Sequence, residues 1–273
     1  MSFRQLNLSS THLCGVWGGW NGEQKPIDYR GEHGTYTAEG VTAIADALRV
    51  NSALASVKLR DNHLGDEGWG AIFAAICGNK DSKIMSMDAS SEHIGPAGVK
   101  LIAEALRTSV TGALTSINLS ENRLCGIWND DHGNEKGTYT AEGITAIADA
   151  LRVNGALTSI DLSINQLCGT GTDYQGNEQG TYTAEGIKAI ADALRVNGAL
   201  TALNLSSNDI GSHWDYDQDE IVSTPEGPKA IADALLVNGA LTECDLIGNY
   251  MGEEGEASIR NAVQGKDGFK LHL

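Results

Sequence analysis

Basic residues are scarce in this chain of 273 residues, which has 19 lysines and arginines against 36 aspartates and glutamates. The net charge of −17 repels phosphate backbones and anionic lipids, so we expect neither nucleic acid nor a membrane surface as a partner. No apolar run approaches the ~20 residues that a membrane-spanning helix needs. The opening residues, MSFRQLNLSS, also lack the basic and apolar segments of a secretory signal.

Cysteine and proline are also few, with five and four residues. Five cysteines form an odd number, spread over a long chain, which is not the pattern of a disulfide framework. This usage favours a reducing compartment, and we expect a cytoplasmic protein.

Sequence motifs of catalysis and of zinc binding are missing as well. The chain has no G-x-S-x-G, no G-x-x-x-x-G-K and no dinucleotide fingerprint. It has no Cys-x-x-Cys or His-x-x-x-His pair, which argues against a zinc site. We therefore predict that the protein is not an enzyme.

What the chain does contain is a leucine pattern, L-x-x-L-x-L-x-x-N-x-L, in seven units. The units begin at Phe3, Leu54, Ile84, Leu114, Leu157, Leu200 and Leu241. The central L-x-L alternates with period two and predicts a short strand with one buried face. An asparagine in the N position can bond the turning backbone with both its donors and its acceptor. Thr11 and Glu92 occupy that position in units one and three, where we expect an imperfect ladder.

Each leucine line is followed by a helical segment such as EGITAIADALRVNGA, in which Ile144 and Leu151 recur at helical spacing. The heptapeptide GTYTAEG begins at Gly34, Gly137 and Gly180 and predicts the start of such a helix. Its second threonine is in the cap position, and its glutamate lies at the positive end of the helix dipole. The exit, RVNG, places a basic residue in the last turn and Asn-Gly after it, as is typical of a helix C-terminus.

These lines and the helices of pattern G-h-x-A-I-A-x-A-L resemble the leucine-rich repeat family, specifically the ribonuclease-inhibitor-like subfamily with a full helix in each repeat. The resemblance covers Phe3 to about Val263. It implies an α/β fold, a right-handed solenoid (horseshoe) of about seven strand–helix repeats in a single domain, 1–273. Parallel strands would line the concave face and helices the convex face. Members of the subfamily are mostly protein-binding modules, and a few regulate GTPases.

The chain departs from this family by insertions just beyond the strand, at approximately 14–37, 125–140, 168–183 and 211–224. Because they enter their units at the same place, we expect them to line one rim, and such insertions often mark the binding face. Units two and three have no insertion, which predicts a notch roughly 14 Å wide on this rim. Trp17, Trp20 and Trp128 would flank it.

Aromatic and acidic residues are concentrated in these insertions. Aromatic side chains in polar, glycine-rich loops are typical of recognition surfaces, because they provide large contact area at a small entropic cost. The predicted partner-binding residues are Trp17, Trp20, Tyr29, Trp128, Asp130, Asp131, Asp173, Tyr174, Trp214 and Tyr216. The alternative is that the aromatics pack the loops onto the scaffold, which suits the recurring Tyr36, Tyr139 and Tyr182.

One acidic stretch, DYDQDEIVSTPE, has carboxylates at the spacing of a calcium-binding loop. Its ligands would be Asp215, Asp217, Asp219 and Glu226. Glu220 stands where such a loop needs glycine, and a strand precedes the stretch instead of a helix. A solvated acidic loop before a capped helix is therefore the alternative, and calcium is the one cofactor that the sequence suggests.

Three of the cysteines, Cys14, Cys125 and Cys168, follow the last leucine of their lines. Their shared position predicts small buried side chains. Since Cys125 and Cys168 belong to adjacent units, a disulfide between them or a reactive thiol is the alternative.

We predict a non-catalytic scaffold that binds a protein or peptide of basic character through its acidic, aromatic-rich rim and its concave face. The concave face would contribute Asn7, Lys58, Asp88, Asn118, Asp161, Asn204 and Asp245. A calcium- or carbohydrate-binding module that uses the same loops is the alternative, and a GTPase-activating module follows from family analogy alone. The final FKLHL predicts an eighth strand without a helix, and this uncovered end permits end-to-end self-association.

Overall fold

The structure is a computed structural model that describes residues 4–11, 13–14, 19–20, 26–27, 37–60, 62–110, 112–129, 135–172, 178–215 and 220–273. Its strands are β1 (Gln5–Asn7), β2 (Gly19–Trp20), β3 (Pro26–Ile27), β4 (Ser56–Lys58), β5 (Ser86–Asp88), β6 (Ser116–Asn118), β7 (Ile127–Asn129), β8 (Glu135–Gly137), β9 (Ser159–Asp161), β10 (Thr170–Thr172), β11 (Glu178–Gly180), β12 (Ala202–Asn204), β13 (Ser212–Asp215), β14 (Glu220–Ser223), β15 (Glu243–Asp245) and β16 (Lys270–His272). Its helices are α1 (Glu39–Val50), α2 (Gly65–Gly78), α3 (Pro96–Arg107), α4 (Glu142–Val153), α5 (Glu185–Leu194), α6 (Glu226–Val237) and α7 (Gly252–Val263).

The strands of the leucine lines pair in parallel and in register. Five of them and the final strand form one sheet in the order β5, β6, β9, β12, β15 and β16, so that equivalent residues such as Ser116 and Ser159 are partners. The α/β class with a parallel sheet, which the family resemblance implies, is confirmed. The strand predicted at FKLHL is confirmed as well, because β16 extends the sheet beside β15.

The sheet is interrupted between the second and third units. β1 and β4 form a separate parallel pair, and no ladder joins β4 to β5 among the residues that the structure describes. At this junction the indole Nε1 of the fully buried Trp69 lies 3.4 Å from Oε2 of Glu92, the residue that replaces the ladder asparagine. This bulky pair coincides with the break in a sheet that the sequence predicts to be continuous.

The hydrophobic core lies between the sheet and the helices. In α4, Ile144 and Leu151 are at most 1% exposed, as their helical spacing predicts. Strands β4, β5, β6, β9, β12 and β15 bury their central residue, Ile160 in β9 for example, while its neighbours in the strand stay at least partly exposed. Burial of one such aliphatic side chain contributes about 1.5–3 kcal/mol. No described helix is long and apolar enough to cross a membrane.

A ladder of buried asparagines runs through the turns that follow the sheet strands. Asn165 donates from Nδ2 to the carbonyls of Leu162 and Leu119, and its Oδ1 accepts the N–H of Asn122 at 3.2 Å. Glu92 joins the ladder with its backbone N–H, which donates to Asn122. Thr11 likewise donates its N–H to Asn62, 3.1 Å away. Units one and three therefore keep the backbone donor of the ladder, and the imperfect ladder predicted for them stays a prediction.

A second series of asparagines ends the helices. Asn238 is the C-cap of α6, and its Nδ2 donates to the carbonyl of Leu194 in the preceding helix at 2.7 Å. Its Oδ1 accepts the N–H groups of Ala240 and Leu241, which lead to the next strand. The backbone of Asn238 is extended, and Gly239 has no positive φ. The RVNG exit of α4 has the same geometry: Asn154 is an extended C-cap, its Oδ1 accepts the N–H groups of Ala156 and Leu157, and Gly155 has no positive φ. It is a helix end as predicted, but the asparagine makes the cap without a left-handed glycine.

The residues on both sides of a ladder asparagine adopt left-handed backbone conformations. Ile164 has φ 55° and Gln166 has φ 51°, and Ser207 and Asp209 repeat this geometry one unit later. A β-branched side chain is disfavoured in this region because its Cβ crowds the backbone. Ile164 is therefore a strained residue.

We expect Ile164→Asn to raise the free energy of unfolding by about 1 kcal/mol, because asparagine tolerates a positive φ. Little burial is lost, since the Ile164 side chain is 48% exposed. Ile247→Asn is the matched control, because Ile247 is 50% exposed and has no positive φ. Urea unfolding of both variants tests this expectation, and a stability gain in the control alone would contradict it.

The insertions fold as antiparallel hairpins where the sequence predicts glycine-rich loops. The hairpins are β2–β3, β7–β8, β10–β11 and β13–β14. Each insertion closes on an equivalent hydrogen bond; in unit four the N–H of Thr140 donates to the carbonyl of Cys125 at 2.9 Å. The hairpins enter their units at the same position, as the sequence predicts for the insertions. The pairing was not predicted because cross-strand hydrogen bonds leave no hydrophobic period in these polar segments.

The heptapeptide GTYTAEG recurs because it joins a hairpin to the next helix, as the described copies show between β7–β8 and α4 and between β10–β11 and α5. Gly137 ends β8 with φ 88°, and a Cβ there would lie 2.0 Å from the carbonyl oxygen of Gly126, so a side chain does not fit. Thr140 then accepts the N–H of Glu142 on its Oγ1 at 3.2 Å. The predicted helix start is confirmed. The N-cap of α4 is Ala141, one residue after the threonine that the sequence predicts as the cap.

The tyrosine of the heptapeptide ties neighbouring units together. The hydroxyl of Tyr139 donates to the carbonyl of Leu167 at 3.0 Å, and that of Tyr182 donates to Ile210 at 2.9 Å. Both rings pack against the core, and burial is the main cause that raises the pKa of both hydroxyls. The structural interpretation of these two tyrosines is confirmed, whereas Tyr36 lies outside the described residues.

Candidate binding groove

The structure describes the side chain of Trp128 among the predicted partner-binding residues. Trp20 lies in β2 and Trp214 in β13, where the backbone alone is described. The others lie outside the described residues: Trp17, Tyr29, Asp130, Asp131, Asp173, Tyr174 and Tyr216. The predicted notch between Trp17, Trp20 and Trp128 therefore stays a prediction.

The predicted calcium ligands are also described in part. Asp215 ends β13 and pairs with Glu220 across the hairpin, and Glu226 begins α6. Asp217 and Asp219 lie outside the described ranges. Within the described ranges, no group of three or more histidine, cysteine, aspartate or glutamate side chains is arranged to hold a metal ion. The calcium site stays a prediction, and a calcium titration of the melting temperature tests it.

A groove with a volume of about 480 Å³ runs along the turns that follow the sheet strands. Its walls repeat with the units, because they consist mostly of the ladder asparagine's two neighbours in units four to seven. The lining residues are His93, Glu121, Asn122, Arg123, Trp128, Ile164, Gln166, Ser207, Asp209, Gly248 and Tyr250. The ladder thus positions one pair of side chains per unit along a common surface.

Trp128 and Arg123 form a stacked pair in the wall of the groove. The guanidinium carbon of Arg123 lies 3.9 Å from the centre of the Trp128 ring. Trp128 comes from the hairpin strand β7, and Arg123 follows the ladder asparagine of the same unit. Partial burial lowers the pKa of the Arg123 guanidinium from its ordinary value. The sequence identified Trp128, whereas Arg123 carried no signal beyond its position after Asn122.

His93 lies in the equivalent turn position one unit before Arg123. Partial burial lowers the pKa of its imidazole to about 4, and the positive charges of Arg123 and His63 add to this shift. His93 is therefore neutral at pH 7. His93 and Arg123 both line the same end of the groove.

We expect Arg123→Gln to raise the pKa of His93, because the substitution removes a positive charge that disfavours the imidazolium. The wild-type value should lie near 4, well below the ordinary value of about 6.5. Nuclear magnetic resonance titration of the His93 ring protons measures both values. An unchanged pKa in the variant would contradict the expectation, and Arg152→Gln on α4 is the control.

Apolar side chains face solvent farther along the groove. Ile164 is 48% and Tyr250 71% exposed, and both have positive φ, 55° and 47°. Exposure and backbone strain both disfavour large apolar residues at these positions. The sequence analysis did not identify them as site residues, although both stand next to the ladder asparagine, where the other units have polar residues.

The polar residues that end the sheet strands have a structural role that the sequence did not reveal. Asp161 Oδ1 accepts the backbone N–H and the hydroxyl of Ser163 at 2.9 and 2.7 Å, and its Oδ2 accepts Asn204. Side chains that also accept the N–H two residues ahead are Asn7, Asp88, Asn118, Asn204 and Asp245. These residues shape the turns that carry the groove.

All five cysteines are buried, and none of them forms a disulfide bond. Burial raises the pKa of the Cys125 thiol to about 12 and that of Cys77 to about 11. It also raises the pKa of Cys168. The interpretation as small buried side chains is confirmed, and the alternative disulfide between Cys125 and Cys168 is wrong in this structure.

We expect the native protein to react slowly with Ellman's reagent at pH 8. The thiolate is the form that attacks this reagent, and burial disfavours the thiolate. The same protein in guanidinium chloride should release colour for five thiols. A thiol that reacts rapidly in the native state would contradict the described burial.

The sequence matches no known family profile, and no curated protein matches it significantly. Among solved structures, it is similar to leiomodin-1 actin-binding site 2, at 19% identity and TM-score 0.47, over 74% of this chain and 86% of that chain. A Caenorhabditis elegans tropomodulin C-terminal domain has 14% identity and TM-score 0.44, over 72% of this chain and 92% of that one. TLR13, in complex with ssRNA13, has 13% identity and TM-score 0.41, over 89% of this chain and 25% of its own. These weak likenesses assign no function to the chain.

Proposed function

We propose that the chain is a non-catalytic, cytoplasmic interaction scaffold that binds a protein or peptide in the groove. In this proposal the units form a right-handed leucine-rich-repeat horseshoe of the ribonuclease-inhibitor-like type, and the hairpins extend the groove as a rim. The parallel sheet, the asparagine ladder and the equivalent hairpin positions support this architecture. Five cysteines that form no disulfide bond support a reducing compartment.

One observation carries the proposal: Ile164 and Tyr250 are strained and exposed in the same groove. Strained residues persist where the surrounding structure imposes them, and they are common at binding sites. An exposed apolar side chain gains free energy when a partner covers it. The stacked Trp128 adds a rigid aromatic surface at the other end, and aromatic and arginine side chains are frequent among the residues that dominate binding.

The charge of the protein favours a partner with basic character. The net charge is −17, and Glu121 and Asp209 line the groove itself. A basic partner would be attracted over long range, and its affinity would fall as salt screens the charges. The calcium and carbohydrate alternatives depend on side chains outside the described ranges, and no described contact favours them over a protein partner.

The test is a selection of peptides from a random displayed library on the purified protein. We expect basic peptides with apolar residues, and we expect the selected peptides to bind Ile164→Asn and Tyr250→Ala at least tenfold more weakly, on the order of 1.4 kcal/mol. Ile164→Asn is the sharper variant, because it should bind less tightly while being more stable than the parent protein.

Val196→Asn provides the matched control, because Val196 is 61% exposed in the turn after α5 and does not line the groove. Its affinities should equal those of the parent. If the selected peptides bind all variants equally, the groove is not the binding site. If raised salt leaves their affinities unchanged, the partner does not have basic character.

A further inference from the structure

Arg123 differs from the arginines of the helices in having no acidic partner among the described residues. Arg49, Arg107, Arg152 and Arg195 each lie within 4.0 Å of an acidic side chain three residues earlier. No carboxylate among the described residues lies within that distance of the Arg123 side chain. A half-buried cation that has no counter-ion within the described ranges is unexpected in a protein whose net charge is −17.

The stack with Trp128 leaves the hydrogen-bonding groups of Arg123 available. The ring contacts the guanidinium carbon at 3.9 Å, and the side chain donates no hydrogen bond to any described residue. A guanidinium carries five N–H donors in a planar fork that matches a carboxylate with two parallel bonds. Holding this group in place before binding lowers the entropic cost of forming those bonds.

The neighbours of Arg123 in the groove complete the arrangement. His93 and Gln166 occupy the same turn position in the units on either side, and all three residues line the groove. The nearby carboxylate of Glu121 already accepts the hydroxyl of Ser91. This end of the groove therefore presents donors, whereas Ile164 and Tyr250 present apolar surface farther along.

We infer that Arg123, supported by Trp128, binds a carboxylate group of the peptide partner. This inference rests on the proposed function and refines it: a partner that is basic along most of its length presents one aspartate or glutamate side chain at this end. Inorganic phosphate shares the geometry that the fork recognises, and the experiment separates the two.

The experiment uses the full-length, ¹⁵N-labelled protein and two capped tripeptides, acetyl-Ala-Glu-Ala-amide and its isosteric glutamine counterpart. We expect the glutamate peptide to shift the Trp128 indole N–H and the Arg123 Nε–H signals at millimolar concentration. The glutamine peptide should bind about tenfold more weakly, because it loses the charge-assisted bonds. This comparison needs no variant and is unaffected by folding defects.

Arg123→Lys should weaken binding of the glutamate peptide about tenfold, because lysine keeps the charge but not the planar fork. Arg152→Lys on α4, whose guanidinium pairs with Asp149, should leave it unchanged. Equal shifts with both peptides, no shift with either, or a response to sodium phosphate alone would overturn the carboxylate assignment. Those outcomes leave the peptide selection and its Ile164 variant intact, so the two proposals fail separately.

Discussion

Asn208→Ala will lower the free energy of unfolding by roughly 3–4 kcal/mol, the largest loss that we expect from a single polar side chain. Asn208 is fully buried, and its Nδ2 donates to the carbonyls of Leu162, Leu205 and Ser206. Its Oδ1 accepts the N–H of Asn165 at 2.9 Å. Alanine leaves these buried backbone groups without partners, and each unsatisfied group costs about 1–3 kcal/mol before relaxation.

The control is Asn118→Ala at the end of β6. Asn118 is partly exposed and accepts the N–H of Ser120 at 2.9 Å, so water can replace the lost bond. We expect a loss of less than about 1 kcal/mol for this variant. Urea unfolding followed by circular dichroism measures both values, and equal losses would refute the ladder as a special source of stability.

Trp69→Ala will destabilise the protein by about 3–5 kcal/mol, the range for truncating a large buried aromatic residue. Trp69 is fully buried, and its ring centre lies 6.4 Å from that of Phe73. The substitution leaves a cavity between the second and third units and removes the indole N–H from the buried Glu92. No ladder bridges β4 and β5 across this junction among the described residues.

We therefore expect Trp69→Ala to unfold in two steps, with the part that contains β1 and β4 melting first, because repeat units are held by contacts with their neighbours. Trp69→Phe fills most of the space and should cost about 1–2 kcal/mol through the hydrogen bond to Glu92. Hydrogen exchange of the β4 and β12 amides distinguishes the steps. A single cooperative transition in the alanine variant would show that the junction is not the weak point.

Much of the fold followed from local patterns. The leucine lines predicted the strands, the helical spacing of Ile144 and Leu151 predicted α4, and FKLHL predicted β16. These predictions succeed because burial of one strand face or one helix face leaves a period in the sequence. The hairpins were missed because they depend on a close backbone approach at Gly137 and on cross-strand hydrogen bonds. Neither feature leaves a hydrophobic period in the sequence.

The candidate groove was predicted less completely. Trp128 was identified because a tryptophan in a polar insertion is unusual, but Arg123, Ile164 and Tyr250 were not. All three occupy a turn position beside the ladder asparagine. In most units this position holds a polar residue typical of an ordinary turn, so it gave no signal of a site. Residues from units up to four repeats apart meet in the groove, and the sequence cannot show which of them share a surface.

By itself, the sequence determined the repeat: the parallel strands, the helices behind them, the ladder asparagines and the place where the insertions enter. Each of these depends on contacts within one unit or with the adjoining unit, which the repeated pattern encodes directly. The tertiary structure alone decided that the sheet is interrupted at Trp69 and Glu92, and that Arg123 stacks on Trp128. These features depend on how particular side chains fill the space between units. No periodic pattern in the sequence predicts the packing of residues that do not repeat.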